Sequence, residues 1–432
     1  MDPAFVGLIG FAAVLLLMVL RVPVAVSMGI VGAAGFLYLQ GWAGLAYVMG
    51  TSPFESVFPY SLSVVPLFVM MGVFASYAGL SRQLYDVAYA FLGHYRGGLA
   101  LATVGACAGF GAICGSALAT AATMCRVALP EMRRHGYADS LATASIAAGG
   151  TLGILIPPSI ILLIYALLTE QSLGKLFIAA LVPGLLGTVL YMLAITVTTR
   201  LNPALGPAGE RMAWPQRMRT LRTVWPVGLL FALVIGGMYS GIFSPNEAAS
   251  VGAVGALVFA IAGRTMGRDR FKASLVETAS TSGMIFLIII GAGLFNFFLE
   301  GTNVPQFLIQ QVQRLDLGPT MFLVILTVFY LILGCLMDDL AMILLTLPVV
   351  FPITQALGID AIWFGIYIVT IVEIGLITPP VGMNLFVIQG VGQVKLQTVI
   401  RGIVPFVVAD AVRIILLIAV PQIVLFLPAL MK

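Results

Sequence analysis

Residues 140–168 contain no charged side chain, yet two adjacent prolines, Pro157 and Pro158, lie near the middle of this segment. A segment of this length and polarity is typical of a membrane-spanning helix, which needs about 20 apolar residues. Proline lacks a backbone N–H, and its ring clashes with the carbonyl four residues earlier. The pair therefore predicts a helix that breaks inside the membrane. Pro379 and Pro380 interrupt a second apolar segment in the same way.

Apolar segments of this kind occupy most of the chain. Hydrophobic residues make up 61% of the 432 residues and charged residues only 9%, against about 25% charged residues in soluble domains. At about 20 residues for each crossing, the chain has room for about 10 to 12 membrane helices. We therefore predict an all-α integral membrane protein embedded in a lipid bilayer.

The sequence contains few features that are typical of other functional classes. Both histidines lie in polar loops, the four cysteines lack disulfide or metal-ligand spacing, and no phosphate-binding glycine-rich motif is present. The formal net charge of +4 comes from basic residues in loops, as membrane topology requires, so no nucleic-acid partner is expected. An intramembrane enzyme is therefore a disfavoured alternative, and we do not expect this chain to hydrolyse ATP.

The second half of the sequence repeats the first. A shift of 222 residues, without gaps, superimposes six glycine or proline positions. Apolar composition does not explain this agreement, so we infer a duplicated structural unit. We assign residues 1–199 to the first repeat, residues 200–223 to a basic cytoplasmic linker and residues 224–432 to the second repeat. The matched positions are Pro130 and Pro352, Gly136 and Gly358, Gly153 and Gly375, Pro157 and Pro379, Pro158 and Pro380, and Pro183 and Pro405.

The loop charges predict that the two repeats are inverted. The loop at 125–139 contains three arginines, whereas its counterpart at 347–361 contains no lysine or arginine. Because basic loops stay on the cytoplasmic side, equivalent loops are expected on opposite sides of the membrane. Inverted repeats with helices interrupted at matching places are typical of secondary transporters, whose binding site lies where the breaks meet.

The interrupted helices supply groups that can bind ions. Backbone carbonyls freed by the prolines can coordinate a cation, and the N-terminus of a half-helix can face an anion. Gly153 and Gly375 precede the two proline pairs and allow close approach of the backbone. Thr378 and Asn384 flank the second pair as candidate ligands. The alternative is that the prolines only shape the packing of the helices.

A second break is predicted in each half. Ser116, in a segment of small residues, corresponds to Asp338 in the 222-residue register. A carboxylate inside a membrane indicates a functional site by default, and Asp338 or Asp339 could neutralise a bound sodium ion or carry a proton. The alternative is that these aspartates cap a helix that begins near Leu340.

Four long motifs cover both halves of the chain: FGAICGSALATAATM, AAGGTLGILIPPSIILLIYALL, LGCLMDDLAMILLTLPVVFPI and EIGLITPPVGMNLFVIQG. They closely resemble the large membrane subunit of tripartite ATP-independent periplasmic (TRAP) transporters, and the resemblance extends over nearly the whole chain. It implies a multi-pass protein of the bacterial inner membrane that imports a small carboxylate-bearing solute, driven by a sodium gradient. It also implies two partners, a periplasmic solute-binding protein and a small membrane subunit.

The resemblance further implies an inverted-repeat fold with two re-entrant hairpins and two broken helices. A fixed scaffold would carry an elevator-like transport domain, with sodium ions at the hairpin tips and no organic cofactor. Carried over residue by residue, the first sodium site comprises Gly115, Ser116, Gly153, Leu155 and Pro158, the second comprises Asp338, Gly375, Ile377, Thr378 and Pro380, and the candidate solute-binding residues are Thr120, Ser159 and Asn384.

Two positions depart from the family pattern. Ala117 stands where a second serine is usual, which removes a hydroxyl from the first tip, and residues 244–248 read SPNEA rather than TPTEA. The nearest alternative within the transporters is a stand-alone anion symporter, coupled to sodium or protons, which would need neither partner protein. The elevator interpretation predicts that residues 99–124 slide against the helices at 225–263.

Overall fold

The computed structural model describes residues 2–431, and this part of the chain consists of helices joined by turns and loops. A π-helical turn at Ala232–Gly236 joins α11 to α12. The helices are α1 (Pro3–Val19), α2 (Val24–Val57), α3 (Val64–Tyr77), α4 (Leu80–Leu92), α5 (Gly98–Cys114), α6 (Ala117–Arg134), α7 (Asp139–Leu155), α8 (Ile160–Thr169), α9 (Leu173–Leu201), α10 (Trp214–Leu221), α11 (Trp225–Phe231), α12 (Gly237–Tyr239), α13 (Pro245–Ala262), α14 (Arg268–Thr302), α15 (Val304–Arg314), α16 (Pro319–Gly334), α17 (Asp339–Ala356), α18 (Ala361–Gly375), α19 (Met383–Gly392), α20 (Leu396–Ala419) and α21 (Gln422–Ala429).

Within the described residues, nine helical segments are long and apolar enough to cross a membrane. Five further apolar helices are shorter, and four of these, α5, α16, α18 and α19, adjoin a turn or an unwound segment in the apolar region. Their shortness therefore reflects the interruptions that the prolines and glycines impose. The all-α membrane fold predicted from the sequence is confirmed.

Two hairpins contain the breaks predicted near Ser116 and Asp338. Hairpin 1 consists of α5 and α6. Helix α5 ends at Cys114 and is followed by Gly115, whose φ of 64° lies in the left-handed region that glycine adopts without steric cost. Ser116 then caps α6, because its Oγ accepts a hydrogen bond from the Ala119 N–H at 3.4 Å. Hairpin 2 consists of α16 and α17, joined by residues 335–338.

Each double proline separates two half-helices, as predicted. Helix α7 ends at Leu155 and α8 begins at Ile160, whereas α18 ends at Gly375 and α19 begins at Met383. The first unwound segment is buried throughout, while the second becomes exposed at Pro380. Unwound backbone at membrane depth is tolerated where protein or a watery cavity surrounds it.

Two pairs of repeat-equivalent residues contact each other. Thr151 Oγ1 donates a hydrogen bond to Glu373 Oε1 at 3.0 Å, and the Arg413 guanidinium lies 5.8 Å from the ring centroid of Tyr191. The members of each pair are 222 residues apart. Equivalent residues of two repeats meet near the axis that relates the repeats, so this axis passes between α7, α9, α18 and α20.

Four helices that we call the outer group, α2, α3, α13 and α14, pack in two close pairs, α2 with α14 and α3 with α13. Small residues permit this approach: a Cβ atom at Gly291 would lie 2.2 Å from the Ala25 carbonyl oxygen, and one at Gly32 would lie 2.6 Å from the Phe295 nitrogen. Helices α5–α9 and α16–α20 contain both hairpins and both broken helices, and we call them the hairpin group.

The predicted linker at 200–223 lies against the base of hairpin 1. The Gly97 N–H donates to the Gly206 carbonyl at 2.9 Å, and the Ala138 N–H donates to the Leu205 carbonyl at 3.1 Å. These bonds join the linker to the residues that precede α5 and follow α6. The limits of the two repeats on either side of this linker stay predictions.

The SPNEA segment forms a helix cap. Ser244 Oγ accepts a hydrogen bond from the Glu247 N–H at 3.4 Å, and Glu247 Oε2 accepts one from the Ser244 N–H at 2.7 Å. This reciprocal pair satisfies two of the free N–H groups at the start of α13. The SPNEA segment departs from the family pattern, but it still caps the N-terminus of α13.

Candidate functional site

The tip of hairpin 1 contacts the first double proline. A Cβ atom at Gly111 would lie 2.5 Å from the Cα of Gly153, and one at Gly115 would lie 3.0 Å from the Pro158 carbonyl oxygen. Real Cβ atoms do not approach backbone so closely without a shift, so the absence of side chains allows this contact. The structure thus brings together Gly115, Ser116, Gly153 and Pro158, which the sequence analysis assigned to one sodium site.

Two oxygen atoms lie beside the small space at Gly153. A Cβ atom built on Gly153 would lie 3.0 Å from Thr120 Oγ1 and 3.3 Å from the Ser116 carbonyl oxygen. Thr120 Oγ1 is buried, and it has no hydrogen-bond partner in the described part of the chain, although the Cys114 side chain lies beside it. The Ser116 carbonyl already accepts a hydrogen bond from the Thr120 N–H at 3.1 Å, but its second lone pair and the buried hydroxyl suit a hard cation such as sodium.

Ser159 and Leu155, two predicted site residues, lie at the first break. The Ser159 hydroxyl donates to the Ile154 carbonyl and accepts from the Leu162 N–H, at 3.2 Å in the second case. It therefore caps α8, and its contact with the solute stays a prediction. Leu155 is buried and can offer only its backbone to an ion.

Hairpin 2 contacts the second break through glycine as well. A Cβ atom at Gly334 would lie 2.5 Å from the Cα of Gly375. Thr378 Oγ1 donates to the Ile374 carbonyl at 2.7 Å, while Ile377 is fully buried. This arrangement repeats the Gly111–Gly153 contact of the first half.

Asn384 joins the second break to the first broken helix. Its Nδ2 donates to the Ala147 carbonyl of α7 at 3.1 Å, and its N–H donates to the Leu376 carbonyl at 3.1 Å. Its Oδ1 is buried without a hydrogen-bond partner among residues 2–431. The side chain therefore keeps one free acceptor.

The two adjacent aspartates stand at the start of α17 and differ in their contacts. Asp338 occupies the N-cap position, but its side chain makes no capping hydrogen bond. Asp339 is nine-tenths buried, and its Oδ1 accepts from the Leu340 N–H at 3.0 Å. The capping alternative thus applies in part to Asp339, while the Ala341 N–H lies near the Asp338 carboxylate without forming a capping hydrogen bond of good geometry.

Both hairpin tips line one cavity of about 150 Å³, which α3, α14 and the start of α8 also line. Glu277 and Thr281 of α14 also line it, and the sequence analysis missed them. They lie four residues apart and so share one face of the helix, but nothing in the sequence indicates which element that face meets. The polar side chains that line the cavity are Ser76, Ser116, Thr123, Glu277, Thr281, Asp338 and Asp339.

A buried charge cluster lies on the repeat axis. Arg413 Nη2 is 2.9 Å from Glu373 Oε2, with hydrogen-bond geometry, and 2.8 Å from Asp410 Oδ1, an ion pair by distance. Tyr191 donates to Asp410 Oδ2 at 2.7 Å, and Thr151 donates to Glu373. Asp410 and Arg413 lie three residues apart on α20 and form an ion pair. The cluster ties four helices of the hairpin group together, and none of its residues lines the cavity.

Comparison with known proteins supports a transport function for this arrangement. The chain is 41% identical over 377 residues, 87% of this chain and 88% of the relative, to the C4-dicarboxylate TRAP transporter large permease protein DctM of Pseudomonas aeruginosa. It is 34% identical to the Rhodobacter capsulatus protein of the same name over 98% of this chain and 99% of that protein. It is 30% identical to the sialic acid TRAP transporter large permease protein SiaM of Vibrio cholerae over 94% and 95%.

Among solved structures, the chain matches the Alcanivorax borkumensis YdaH transporter with a TM-score of 0.63, over 96% of this chain and 98% of that one. At 16% identity this match concerns the fold alone. Residues 11–423 match the family model described as the tripartite ATP-independent periplasmic transporter, DctM component. With its candidate membrane spans and its permease relatives, the chain is a multi-pass membrane protein, and it belongs to the DctM family of TRAP transporter large permeases.

Proposed function

We propose that this protein is the transport subunit of a sodium-driven importer in a bacterial inner membrane. A periplasmic binding protein delivers a small carboxylate-bearing solute, and a small membrane subunit accompanies the large one. The observation that carries the proposal is that both hairpin tips line a single cavity, which is the arrangement expected where interrupted helices form a transport site. Relatives named as permeases for C4-dicarboxylates, sialic acid and ectoine support a small solute.

The proposed sodium sites lie at the two contacts between hairpin and break. At the first, the Ser116 carbonyl, Thr120 Oγ1 and the backbone around Gly153 supply neutral oxygens. At the second, Asp338 supplies a carboxylate whose charge the ion would neutralise. Solute and sodium would then share the cavity, so that binding of one favours binding of the other.

The proposed motion is a rigid-body sliding of the hairpin group along the outer group. Hairpin 1 contacts α3 through small residues, because a Cβ atom at Gly72 would lie 3.0 Å from the Cα of Cys114. Within the hairpin group, in contrast, the buried Arg413 cluster and Asn384 join several helices by hydrogen bonds. Hydrogen bonds hold the hairpin group together, whereas small residues form its contact with the outer group. Movement is therefore expected at that contact.

Sodium is expected to raise the thermal stability of the detergent-purified protein, with potassium keeping the ionic strength constant. A ligand that binds only the folded state stabilises it by mass action, by about 2.7 kcal/mol at 100 times its dissociation constant. In the Asp338→Asn variant the sodium response should fall, because the second site loses its charge. The measurement is the unfolding midpoint at each sodium concentration.

Glu300→Gln is the matched control, since Glu300 is an exposed carboxylate of α14 that does not line the cavity. It should respond to sodium like the wild type. If the wild type unfolds identically in sodium and in potassium, the proposed coupling to sodium is wrong.

A cross-link between the outer group and the hairpin group is expected to stop transport. Val73 of α3 and the native Cys114 of α5 both line the cavity, so a Val73→Cys variant presents two thiols that mercuric ion can bridge. Uptake by proteoliposomes that contain both membrane subunits and the binding protein should fall to background with mercury and recover with excess free thiol. Val73→Cys combined with Cys114→Ala is the control. Unchanged uptake by the bridged protein would contradict the sliding motion.

A further inference from the structure

The charge that lines the cavity is of one sign. Three carboxylates, those of Glu277, Asp338 and Asp339, line it. Across the described part of the chain, no lysine, arginine or histidine side chain lines this cavity. An anionic solute would therefore meet like charges with no basic side chain to offset them.

Asp339 indicates independently that a ligand belongs here. Its side chain is nine-tenths buried, and its carboxylate accepts one hydrogen bond, from the Leu340 N–H to Oδ1. No other described residue donates a hydrogen bond to this carboxylate. A buried carboxylate normally has a charged or hydrogen-bonding partner, and the residue lines the cavity. The missing partner is thus expected to come from the solute.

The proposed sodium ions do not reverse the sign of this cavity. The ion at the second site would neutralise Asp338, and the ion at the first site, among neutral oxygens, would contribute one positive charge. When ionised, Asp339 and Glu277 would still contribute two negative charges. The cavity therefore stays negative by one charge with both ions bound.

We propose that the solute of this transporter carries a positively charged group, such as an ammonium, in addition to its carboxylate. This inference rests on the proposed function. The positive group lies toward Asp339 and Glu277. The carboxylate lies toward the N-terminal ends of α6 and α8, where Leu118 and Ile160 line the same cavity and where the uncapped N–H groups of the first turn favour negative charge. A zwitterion matches both the carboxylates and the helix N-termini. A dicarboxylate matches the helix N-termini but is repelled by the carboxylates.

The test measures the charge preference of the cavity directly. Thr281 lines the cavity and belongs to neither proposed sodium site. A Thr281→Cys variant, with the four native cysteines replaced by alanine, is allowed to react in saturating sodium chloride with two methanethiosulfonates. One carries a trimethylammonium group and the other a sulfonate. Each rate is divided by the rate of the same reagent with 2-mercaptoethanol, and Ser76→Cys, on the facing helix α3, provides a second position.

The trimethylammonium reagent is expected to react at least about tenfold faster than the sulfonate after this correction, because clefts lined by one charge concentrate the opposite ion. Asp339→Asn and Glu277→Gln should each lower this ratio, and Glu300→Gln should leave it unchanged. A ratio of one or below, or no reaction at either position with either reagent, overturns the proposal.

The sodium titration separates this inference from the function on which it rests. A protein that sodium stabilises, but whose cavity favours the sulfonate reagent, keeps the proposed sodium-coupled transport and loses the cationic solute. If sodium does not stabilise the protein, the proposed coupling to sodium is wrong. The ratio of the two labelling rates still reports the charge of the cavity in that case.

Discussion

Replacing Arg413 with methionine is expected to destabilise the protein by about 3–5 kcal/mol, the usual result of removing one partner from a buried ion pair. Arg413, Glu373 and Asp410 are all fully buried, so the variant leaves two carboxylates without their common counter-ion. The measurement is the unfolding midpoint and the free energy of unfolding in detergent micelles. The four helices that meet at the cluster should loosen together.

A triple variant separates loss of charge from loss of volume. Adding Glu373→Gln and Asp410→Asn to Arg413→Met removes the uncompensated charges and keeps nearly the same shape, so much of the lost stability should return. If Arg413→Met unfolds at the wild-type midpoint, the cluster does not hold the hairpin group together. Equal loss in the single and triple variants would instead point to packing.

The Gly153→Ala variant is expected to weaken sodium binding by about tenfold or more, in the range known for changes around metal ligands. Its Cβ atom would enter the space between Thr120 Oγ1, the Ser116 carbonyl and the Cα of Gly111, at 3.0, 3.3 and 3.2 Å. The methyl group would thus fill the proposed first sodium site and push hairpin 1 from the break. The measurement is the sodium concentration that gives half of the maximal thermal stabilisation.

Gly390→Ala is the matched control, because Gly390 lies within α19 of the same hairpin group and a Cβ atom there would meet nothing within 4 Å. It should bind sodium like the wild type. If the Gly153→Ala protein is folded and keeps the wild-type sodium response, the first sodium site does not lie beside Gly153.

Much of the site was predictable because its chemistry is local. The prolines at 157–158 and 379–380 break their helices wherever they stand, since the missing N–H and the ring clash belong to the residue itself. Gly115 and Ser116 likewise encode a helix end followed by a cap. The pairing of Asp410 with Arg413 needed only the three-residue spacing of one helix turn.

Other residues took roles that their local sequence does not indicate. Ser159, a candidate solute-binding residue, caps the half-helix that follows it. Thr120, also predicted to contact the solute, lies beside Gly153 with an unpartnered hydroxyl. Both residues stand among apolar neighbours, so the sequence alone does not tell which polar group each side chain faces.

From the sequence alone follow the membrane class, the positions of the helix breaks, the 222-residue repeat and the family, because composition, backbone stereochemistry and motif order are properties of neighbouring residues. Only the tertiary structure decided which distant residues meet. It placed Thr151 against its own repeat equivalent Glu373, Arg413 between two carboxylates, and Glu277 opposite the hairpin tips. Such contacts depend on how helices far apart in the chain pack side by side, and no local pattern encodes that packing.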